Sequence, residues 1–347
     1  MQGVLDVPPE IVPVSTLLTR LLVRVEEVFD RQLSSDLPPV ASLVKHVENY
    51  RGKMLRPSLV IASGLASHPA IATTPISQYE SLITQDHMVM GAVVEMVHMA
   101  TLVHDDVLDD AETRRRGLTV NKLRGNEAAV ILGDYLIASA YHLCSTLPSN
   151  DASVAVGRAS MVTCAGELLQ LHHRDDFSLD EPTYYEIVAR KTAELIATSA
   201  ELGCVASRAD PAVRLALGRF GRCVGVAFQV QDDILDLTGK ESVVGKSVNK
   251  DMEKGKMTLP VIHHLAHASP RQRGRTLQLL DLASGDGHHQ RQRDLVLALE
   301  QTGSFEAARA GAAHFIAHAK RELSMLPVSP ASELLRVMAD SVLARTF

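Results

Sequence analysis

Apolar residues recur at helical spacing along almost the whole of this 347-residue chain. Between residues 15 and 34, for example, Leu18, Leu22 and Val25 fall on one side of a helix, with charged residues between them. Aromatic residues make up only 4% and Trp is absent, so the core must be built from Leu, Val, Ile, Ala and Met, which suits helices packed on helices. No Asn-Gly or Asp-Gly turn lies between alternating, strand-like segments. The sequence therefore predicts an all-α protein.

The same spacing predicts the positions of the helices and loops. Helices are expected over 15–34 and 40–49, from about residue 56, and over 88–108, 127–144, 153–172, 181–206, 211–237, 257–268, 293–302, 304–323 and 330–345. Loops are expected at 67–80 and near residues 148, 239–245, 270 and 285–287, where Pro, Gly and Ser collect. Few breaks resemble linkers, so we expect one domain over residues 1–347, with 1–14 as a loosely ordered N-terminal segment.

Charge and cysteine content exclude several classes of protein. The net charge is −6, and no basic tract indicates a nucleic-acid partner. The four cysteines form no CxxC pair, which is typical of free thiols in a reducing compartment. The N-terminus lacks the features of a secretory signal or an organelle transit peptide, and no 18-residue charge-free apolar stretch predicts a membrane span. We expect a soluble intracellular protein of the cytoplasm or an organelle matrix, the mitochondrial matrix included.

A short acidic pattern occurs twice, as HDDVLDD at 104–110 and as QDDILD at 231–236. The aspartates at positions i, i+1 and i+4 are Asp105, Asp106 and Asp109 in the first motif, and Asp232, Asp233 and Asp236 in the second. On a helix, residues at i and i+4 share one face, where like charges repel. One such motif could be a solvated acidic helix end, but two copies inside apolar helices favour a site that a divalent cation neutralises.

The donor atoms of these motifs indicate which metal is expected. Carboxylate oxygens suit Mg²⁺ or Mn²⁺ rather than zinc, and no EF-hand spacing for calcium is present. Mg²⁺ usually takes one or two carboxylates, while water and substrate phosphate oxygens complete its shell. The two motifs therefore predict a metal-bound diphosphate.

A bound diphosphate also needs cations, and these occur near both motifs. The candidates are Lys53 and Arg56 at a predicted helix start, Arg114 and Arg115 after the first motif, Lys191 with Thr192 in an apolar helix, and Lys246 and Lys256 after the second motif. Each alone could be a surface charge, but their joint placement favours an anion site, and a helix start itself favours anions. His98, seven residues before Asp105, is either a core histidine or a phosphate contact. The pairs at 172–173, 263–264 and 288–289 are expected at the surface.

Taken in order, several segments resemble those of a trans-polyprenyl (isoprenyl) diphosphate synthase of the long-chain, solanesyl or decaprenyl type. They are GKMLRP, EMVHMATLVHDDVLD, the arginine run, TVNKLRGNEAAVILGDYLIASA, KTAELI, FQVQDDILD and GKMTLP, and they cover nearly the whole chain. The resemblance implies a single helical bundle of the isoprenoid synthase type with a central apolar cavity. It also implies sequential head-to-tail condensation of isopentenyl diphosphate onto an allylic primer, farnesyl or geranylgeranyl diphosphate.

The resemblance also implies a role for each candidate residue. Asp105, Asp109 and Asp232 would ligate three Mg²⁺ ions, for which Mn²⁺ could substitute, with Asp106, Asp233 and Asp236 in support. Arg114, Lys191, Lys246 and Lys256 would hold the allylic diphosphate, with Thr192 and Gln229 beside it. Lys53, Arg56, His98 and Arg115 would hold isopentenyl diphosphate. The six aspartates and Lys191 form the expected catalytic set.

The chain departs from the family pattern at two positions. A third arginine, Arg116, precedes Gly117, which leaves open which two of the three arginines contact phosphate. The first family motif usually opens with two glycines, whereas Arg51 precedes Gly52 here, a change that we expect to be tolerated.

Product length depends, in this family, on the residues four and five positions before the first motif. Large aromatic side chains there resemble a floor that stops growth, but here they are the small residues Thr101 and Ala100. We therefore expect a long all-trans product of the kind used as a quinone side chain, such as that of ubiquinone, and delivered to a membrane.

Several alternatives stay open at this point. A shorter-chain enzyme, such as a geranylgeranyl diphosphate synthase, would share all of these motifs. A terpene cyclase or a head-to-head condensing enzyme of the same helical type is a second alternative, although a cyclase would not need GKMLRP. A non-catalytic partner subunit would commonly lose acids from one motif. The resemblance implies a homodimer, with a hetero-oligomer containing a divergent partner as the alternative.

Overall fold

A computed structural model describes residues 8–115, 117–239, 254–281 and 288–345, and it confirms the all-α prediction. Within these ranges the α-helices are α1 Val12–Leu33, α2 Pro38–Val47, α3 Leu55–Ser67, α4 Gln85–Leu108, α5 Val120–Arg124, α6 Asn126–Cys144, α7 Asp151–His172, α8 Glu181–Val188, α9 Glu194–Ala206, α10 Pro211–Thr238, α11 Leu259–His267, α12 Pro270–Asp281, α13 His288–Gln301, α14 Ser304–Glu322 and α15 Pro330–Leu343. Short 3₁₀ helices cover Pro9–Ile11, Glu48–Tyr50, Ile76–Leu82 and Leu323–Met325, and a π-helical turn covers Ala189–Ala193.

The helices group into two compact units. The first contains residues 1–161, 195–221 and 319–341, and the second contains 162–194, 222–318 and 342–347. The first aspartate motif belongs to the first unit, and the second motif to the second. The single domain expected over residues 1–347 stays a prediction.

Helix α4 is the central element of the first unit. It packs against α1, α3 and α6, and its apolar side chains are buried on every side, from Met88 to Val103. By length and composition it could cross a membrane, but 78% of its most apolar window is buried inside the protein, as in a core helix. Because α4 is fixed on all sides, the acidic residues at its C-terminal end are fixed with it.

The start of α4 is tied to two other helices by a buried histidine. The His87 ring accepts a hydrogen bond from the backbone N–H of Thr84 and so caps the helix, while its other nitrogen meets Ser207 Oγ at 2.9 Å. Ser207 donates in turn to the carbonyl of Gly64 in α3 at 2.7 Å. Gly203 lies against the α3 backbone, where a Cβ would collide with the carbonyl of Val60. Glycine is needed there because the two helices cross closely.

In the second unit, α11 packs against α8, α12 and α13. His264 is fully buried in α11, with its ring nitrogens 2.9 Å from the hydroxyls of Thr302 and Thr276. The expectation that this histidine lies at the surface is therefore wrong, because Thr276 of α12 and Thr302, in the turn after α13, satisfy it inside the core.

Other differences from the predicted elements have local causes. Residues 9–14, expected to be loosely ordered, form a 3₁₀ turn and the start of α1, because Ile11 and Val14 are fully buried. A helix begins at Pro270, where a loop was expected, since proline suits a first helical turn. The predicted helix over 181–206 is interrupted by the π-helical turn, and a two-stranded ribbon of Thr113–Arg114 and Gly117–Leu118 follows the first motif.

Candidate active site

Both aspartate motifs lie at the C-terminal ends of their helices. Asp105, Asp106 and the C-cap residue Asp109 occupy the end of α4, and Asp232, Asp233 and Asp236 lie in the last two turns of α10. The helix macrodipole places partial negative charge at this end, where carboxylates are unfavourable and cations are favourable. Each motif therefore adds negative charge where the backbone already supplies it, which is a local reason for a cation to bind.

In the first motif, the second aspartate is held by an arginine. Asp106 is 1% exposed, and Arg114 donates to both of its carboxylate oxygens, at 2.7 to 3.1 Å. The guanidinium uses its Nε–Nη2 edge for this pair and lies 5.7 Å from the ring centre of Tyr50. Asp105 and Asp109 are half-buried, so they face solvent in part while Asp106 is bound inside.

The β-ribbon after the first motif directs the two arginines differently. Arg114 lies in its first strand, while Arg115 adopts a left-handed conformation, with φ 46°, in the turn. The Arg115 guanidinium lies directly over Gly52, where a Cβ would collide with it. The structure thus brings Arg115 to the segment that holds Lys53 and Arg56, and their shared role in binding isopentenyl diphosphate stays a prediction. Arg116 lies outside the described residues.

Arg51, which departs from the family pattern, points to α1. Its guanidinium pairs with Asp30 and lies 4.4 Å from the ring centre of Phe29. Gly52 remains in place for the close approach of Arg115. The ion pair places the additional charge against a neighbouring helix, and tolerance of the change stays a prediction.

A buried carboxylate lies among the cations expected to bind isopentenyl diphosphate. Glu95, on α4, is 3% exposed, and burial raises its pKa against the opposing charges of Arg56 and Arg115. Burial lowers the pKa of Arg56 to about 10, opposed by Glu95. Burial and the nearby arginines hold the pKa of His98 well below its usual range, so at neutral pH this ring is uncharged. Sequence reasoning missed Glu95, although a carboxylate one turn before His98 on an apolar helix was a usable signal.

In the second motif, the second aspartate is held by neutral groups. Asp233 is 4% exposed; Tyr184 Oη donates to its Oδ2 at 2.6 Å, and Gln229 Nε2 donates to its Oδ1 at 2.8 Å. Asp232 is half-buried and lies 3.4 Å from Arg345 Nη2. Arg345 also covers the Phe228 ring at 4.1 Å. Sequence reasoning missed both Tyr184 and Arg345.

The π-helical turn presents Lys191 and Thr192 on the same unit. Lys191 Nζ donates to Gln170 Oε1 at 2.8 Å and pairs with Glu167, both on α7. Thr192 Oγ1 donates to Gln229 Oε1 at 2.9 Å, which connects the turn to the second motif. π-Helical turns occur frequently at functional sites. Lys256 is half-buried, and Lys246 lies outside the described residues.

The expected chain-length positions lie on α4 before the first motif. Ala100 is fully buried, and Thr101 Oγ1 donates to the carbonyl of His98 at 2.7 Å. Neither residue is aromatic, and their role in setting product length stays a prediction.

The acidic residues suit a metal that completes its shell with other ligands. Among the residues that the structure describes, no three His, Cys, Asp or Glu side chains group closely enough to hold an ion by themselves. Mg²⁺ fits this arrangement because it binds through one or two carboxylates and takes water and phosphate oxygens for the rest.

Comparison with known proteins places the chain in a family. The polyprenyl synthetase family model matches residues 38–296, and the chain belongs to this family. It is a trans-prenyltransferase, and enzymes of this kind elongate prenyl diphosphates.

Relatives with different printed names match along most of their length. A short chain isoprenyl diphosphate synthase from Methanothermobacter thermautotrophicus is 32% identical over 91% of this chain and 94% of its own. Heptaprenyl diphosphate synthase component 2 from Bacillus subtilis is 30% identical over 93% of this chain and 87% of its own. Octaprenyl diphosphate synthase from Escherichia coli is 31% identical over 90% of this chain and 92% of its own.

A solved structure shows the same fold. Polyprenyl synthase from Caulobacter crescentus, complexed with calcium and isoprenyl diphosphate, is 30% identical and aligns with a TM-score of 0.85. The alignment covers 96% of this chain and 98% of that one. The all-α isoprenoid synthase fold predicted from the sequence is confirmed.

Proposed function

We propose that this chain is a Mg²⁺-dependent synthase that adds isopentenyl diphosphate repeatedly to farnesyl or geranylgeranyl diphosphate and makes a long all-trans polyprenyl diphosphate. One observation carries the proposal. In both motifs the second aspartate is buried and accepts hydrogen bonds, from Arg114 in the first motif and from Tyr184 in the second. The first aspartate, Asp105 or Asp232, is half-exposed at a helix C-terminus. This arrangement leaves the first aspartates to meet a metal-bound diphosphate.

The proposal assigns the metal to carboxylates of both motifs, within one catalytic domain. Asp105, Asp109 and Asp232 would hold the ions, three in number by family resemblance, and Mn²⁺ would replace Mg²⁺. When bound, the ions would stabilise the negative charge that develops on the leaving diphosphate.

The chain's own cations would bind the two substrates. Arg114, through the guanidinium edge that does not meet Asp106, would contact the allylic diphosphate together with Lys191, Lys246 and Lys256. Lys53, Arg56 and Arg115 would hold isopentenyl diphosphate, and His98 would add a hydrogen bond. Fixed donors of this kind stabilise charge that develops during the reaction.

The bond changes balance without a side-chain base. The allylic C1–O bond breaks and its electron pair leaves with the diphosphate. The double bond of isopentenyl diphosphate then forms the new C–C bond, and a proton passes to the released diphosphate. Apolar helices such as α4 would keep water from the cation.

The test is an incubation of the purified protein with farnesyl diphosphate, labelled isopentenyl diphosphate and Mg²⁺, with and without EDTA. Reverse-phase sizing of the dephosphorylated products follows. We expect a ladder that ends in one dominant long product and disappears with EDTA. If folded protein with metal present incorporates no isopentenyl diphosphate, the proposal is overturned and a non-catalytic subunit is favoured. The name of one relative, heptaprenyl diphosphate synthase component 2, indicates an enzyme with more than one component.

Product length has a competing interpretation, because one relative is named a short chain synthase. We expect Ala100→Phe to shorten the product, since a phenyl ring at this buried position would close the path before Asp105. A control is Phe228→Leu, four residues before Asp232 in the second motif, where product length should stay the same. An unchanged product with Ala100→Phe would place the floor elsewhere.

Self-association is proposed on the basis of exposed apolar side chains in the first unit. Ile131 on α6 and Val154 and Met161 on α7 are each more than 60% exposed. A contiguous exposed apolar patch is typical of an interaction surface, and a homodimer would cover these side chains. We expect light scattering to give the mass of a homodimer; a monomer that gains activity only with a second chain would instead support a hetero-oligomer.

A further inference from the structure

A buried phenol contacts the second aspartate motif from α8. Tyr184 is 3% exposed, and its hydroxyl donates to Asp233 Oδ2 at 2.6 Å. A distance this short is typical of an O–H donor on a carboxylate, which is a stronger hydrogen bond than one between neutral groups. The sequence separation of 49 residues means that only tertiary packing brings the two together.

The carboxylate of Asp233 belongs to a longer chain of hydrogen bonds. Gln229 Nε2 donates to its other oxygen at 2.8 Å, and Gln229 Oε1 accepts from Thr192 Oγ1 at 2.9 Å. Thr192 lies in the π-helical turn beside Lys191. The orientation of Asp233 is therefore linked to that of the turn that carries the lysine.

The donors Tyr184 and Gln229 are uncharged, so these two hydrogen bonds fix the carboxylate without adding a positive charge beside it. The first motif is different, because Arg114 brings a full charge to Asp106.

From this geometry we propose that Tyr184 is a positioning residue for metal-diphosphate binding by the second aspartate motif. Its hydrogen bond fixes the orientation of Asp233. Because Gln229 joins Asp233 to Thr192, this also fixes the position of Asp233 relative to the π-helical turn. The proposal rests on the proposed function, since it assigns a role within the same site.

The direct test is Tyr184→Phe, which removes one oxygen and keeps the ring. The matched control is Tyr185→Phe, which removes a hydroxyl from the next residue of the same helix. Calorimetric titration with Mg²⁺ and inorganic pyrophosphate measures binding without turnover. We expect Tyr184→Phe to weaken binding about tenfold, in line with the loss of a hydrogen bond to a charged group, and Tyr185→Phe to bind like the wild type.

Kinetics add a readout that a purely structural role would not change. For Tyr184→Phe we expect the Mg²⁺ concentration for half-maximal activity to rise several-fold, while the KM for isopentenyl diphosphate and the product length stay unchanged. In a double-mutant cycle with Asp233→Asn, the effect of Tyr184→Phe on pyrophosphate binding should largely disappear, because the two residues act as a pair.

Three outcomes would overturn the proposal: unchanged pyrophosphate binding in Tyr184→Phe, an equal loss in Tyr185→Phe, or a full additional loss in the Asp233→Asn background. An enzyme without elongation activity would remove the proposed function, but the calorimetry would still decide the role of Tyr184. If Tyr184→Phe does not fold, the cycle is run with Gln229→Met and Asp233→Asn, where additive losses would contradict the hydrogen-bonded chain.

Discussion

The two aspartate motifs have nearly the same sequence, but their second aspartates are held by different chemistry. In the first motif, Asp106 forms a buried ion pair with Arg114, eight residues further along the chain. In the second, Asp233 accepts hydrogen bonds from Tyr184 and Gln229, which carry no charge. The repeated sequence therefore specifies a carboxylate geometry, while the surroundings decide how much of its charge is compensated. On this basis, we expect the first motif to depend more on its partner for stability.

The largest effect is expected from the half-exposed first aspartates, where the two motifs should behave alike. Asp105→Asn and Asp232→Asn should each lower kcat about a thousandfold, because loss of a metal ligand removes several kcal/mol of transition-state stabilisation. Steady-state kinetics at saturating Mg²⁺ measures this. The matched control is Asp110→Asn: Asp110 is exposed and has φ 45°, a conformation that Asn tolerates, so activity should be retained. If only one of the two variants loses activity, the motifs do not share the metal-binding role.

The second largest effect is a difference in stability: loss of the partner of the second aspartate should cost more free energy of unfolding in the first motif than in the second. Arg114→Gln leaves Asp106 buried without its guanidinium and should lower the free energy of unfolding by about 3 kcal/mol. Tyr184→Phe removes a neutral donor and should lower it by only about 1 to 2 kcal/mol. Urea denaturation measures both.

An exposed pair provides the control for this stability comparison. Arg309 lies 3.8 Å from Glu306 with both side chains more than half exposed, so Arg309→Gln should change the free energy of unfolding by less than about 1 kcal/mol. Losses of equal size in Arg114→Gln and Tyr184→Phe would contradict the difference between a charged and a neutral partner.

The sequence could predict the parts of this site that depend on local order. Helical spacing located α4 and α10, and the i, i+4 spacing placed the aspartates on one helix face. The family resemblance grouped Arg115 with Lys53 and Arg56, but the contact of Arg115 with Gly52 came only from the structure. The partners of the second aspartates were harder to predict. Tyr184 is one of six tyrosines, and the residues beside it do not indicate that it contacts an aspartate. The π-helical turn and the left-handed Arg115 have no sequence signal either, since tertiary packing imposes both.

The smallest expected effect concerns Arg345, which adds a positive charge to the second motif at its outer aspartate. The contact with Asp232 is 3.4 Å long and partly exposed, so it should contribute less than about 1 kcal/mol. Because Arg345 would compete with a metal for Asp232, Arg345→Met should lower the Mg²⁺ concentration for half-maximal activity by two- to fivefold, roughly the factor that such an energy allows. The side chain of Met keeps the apolar contact with Phe228, and Arg336→Met, in an exposed pair with Glu333, serves as the control. A higher Mg²⁺ requirement in Arg345→Met would show instead that this arginine supports the loaded site, and that a positive charge assists both motifs.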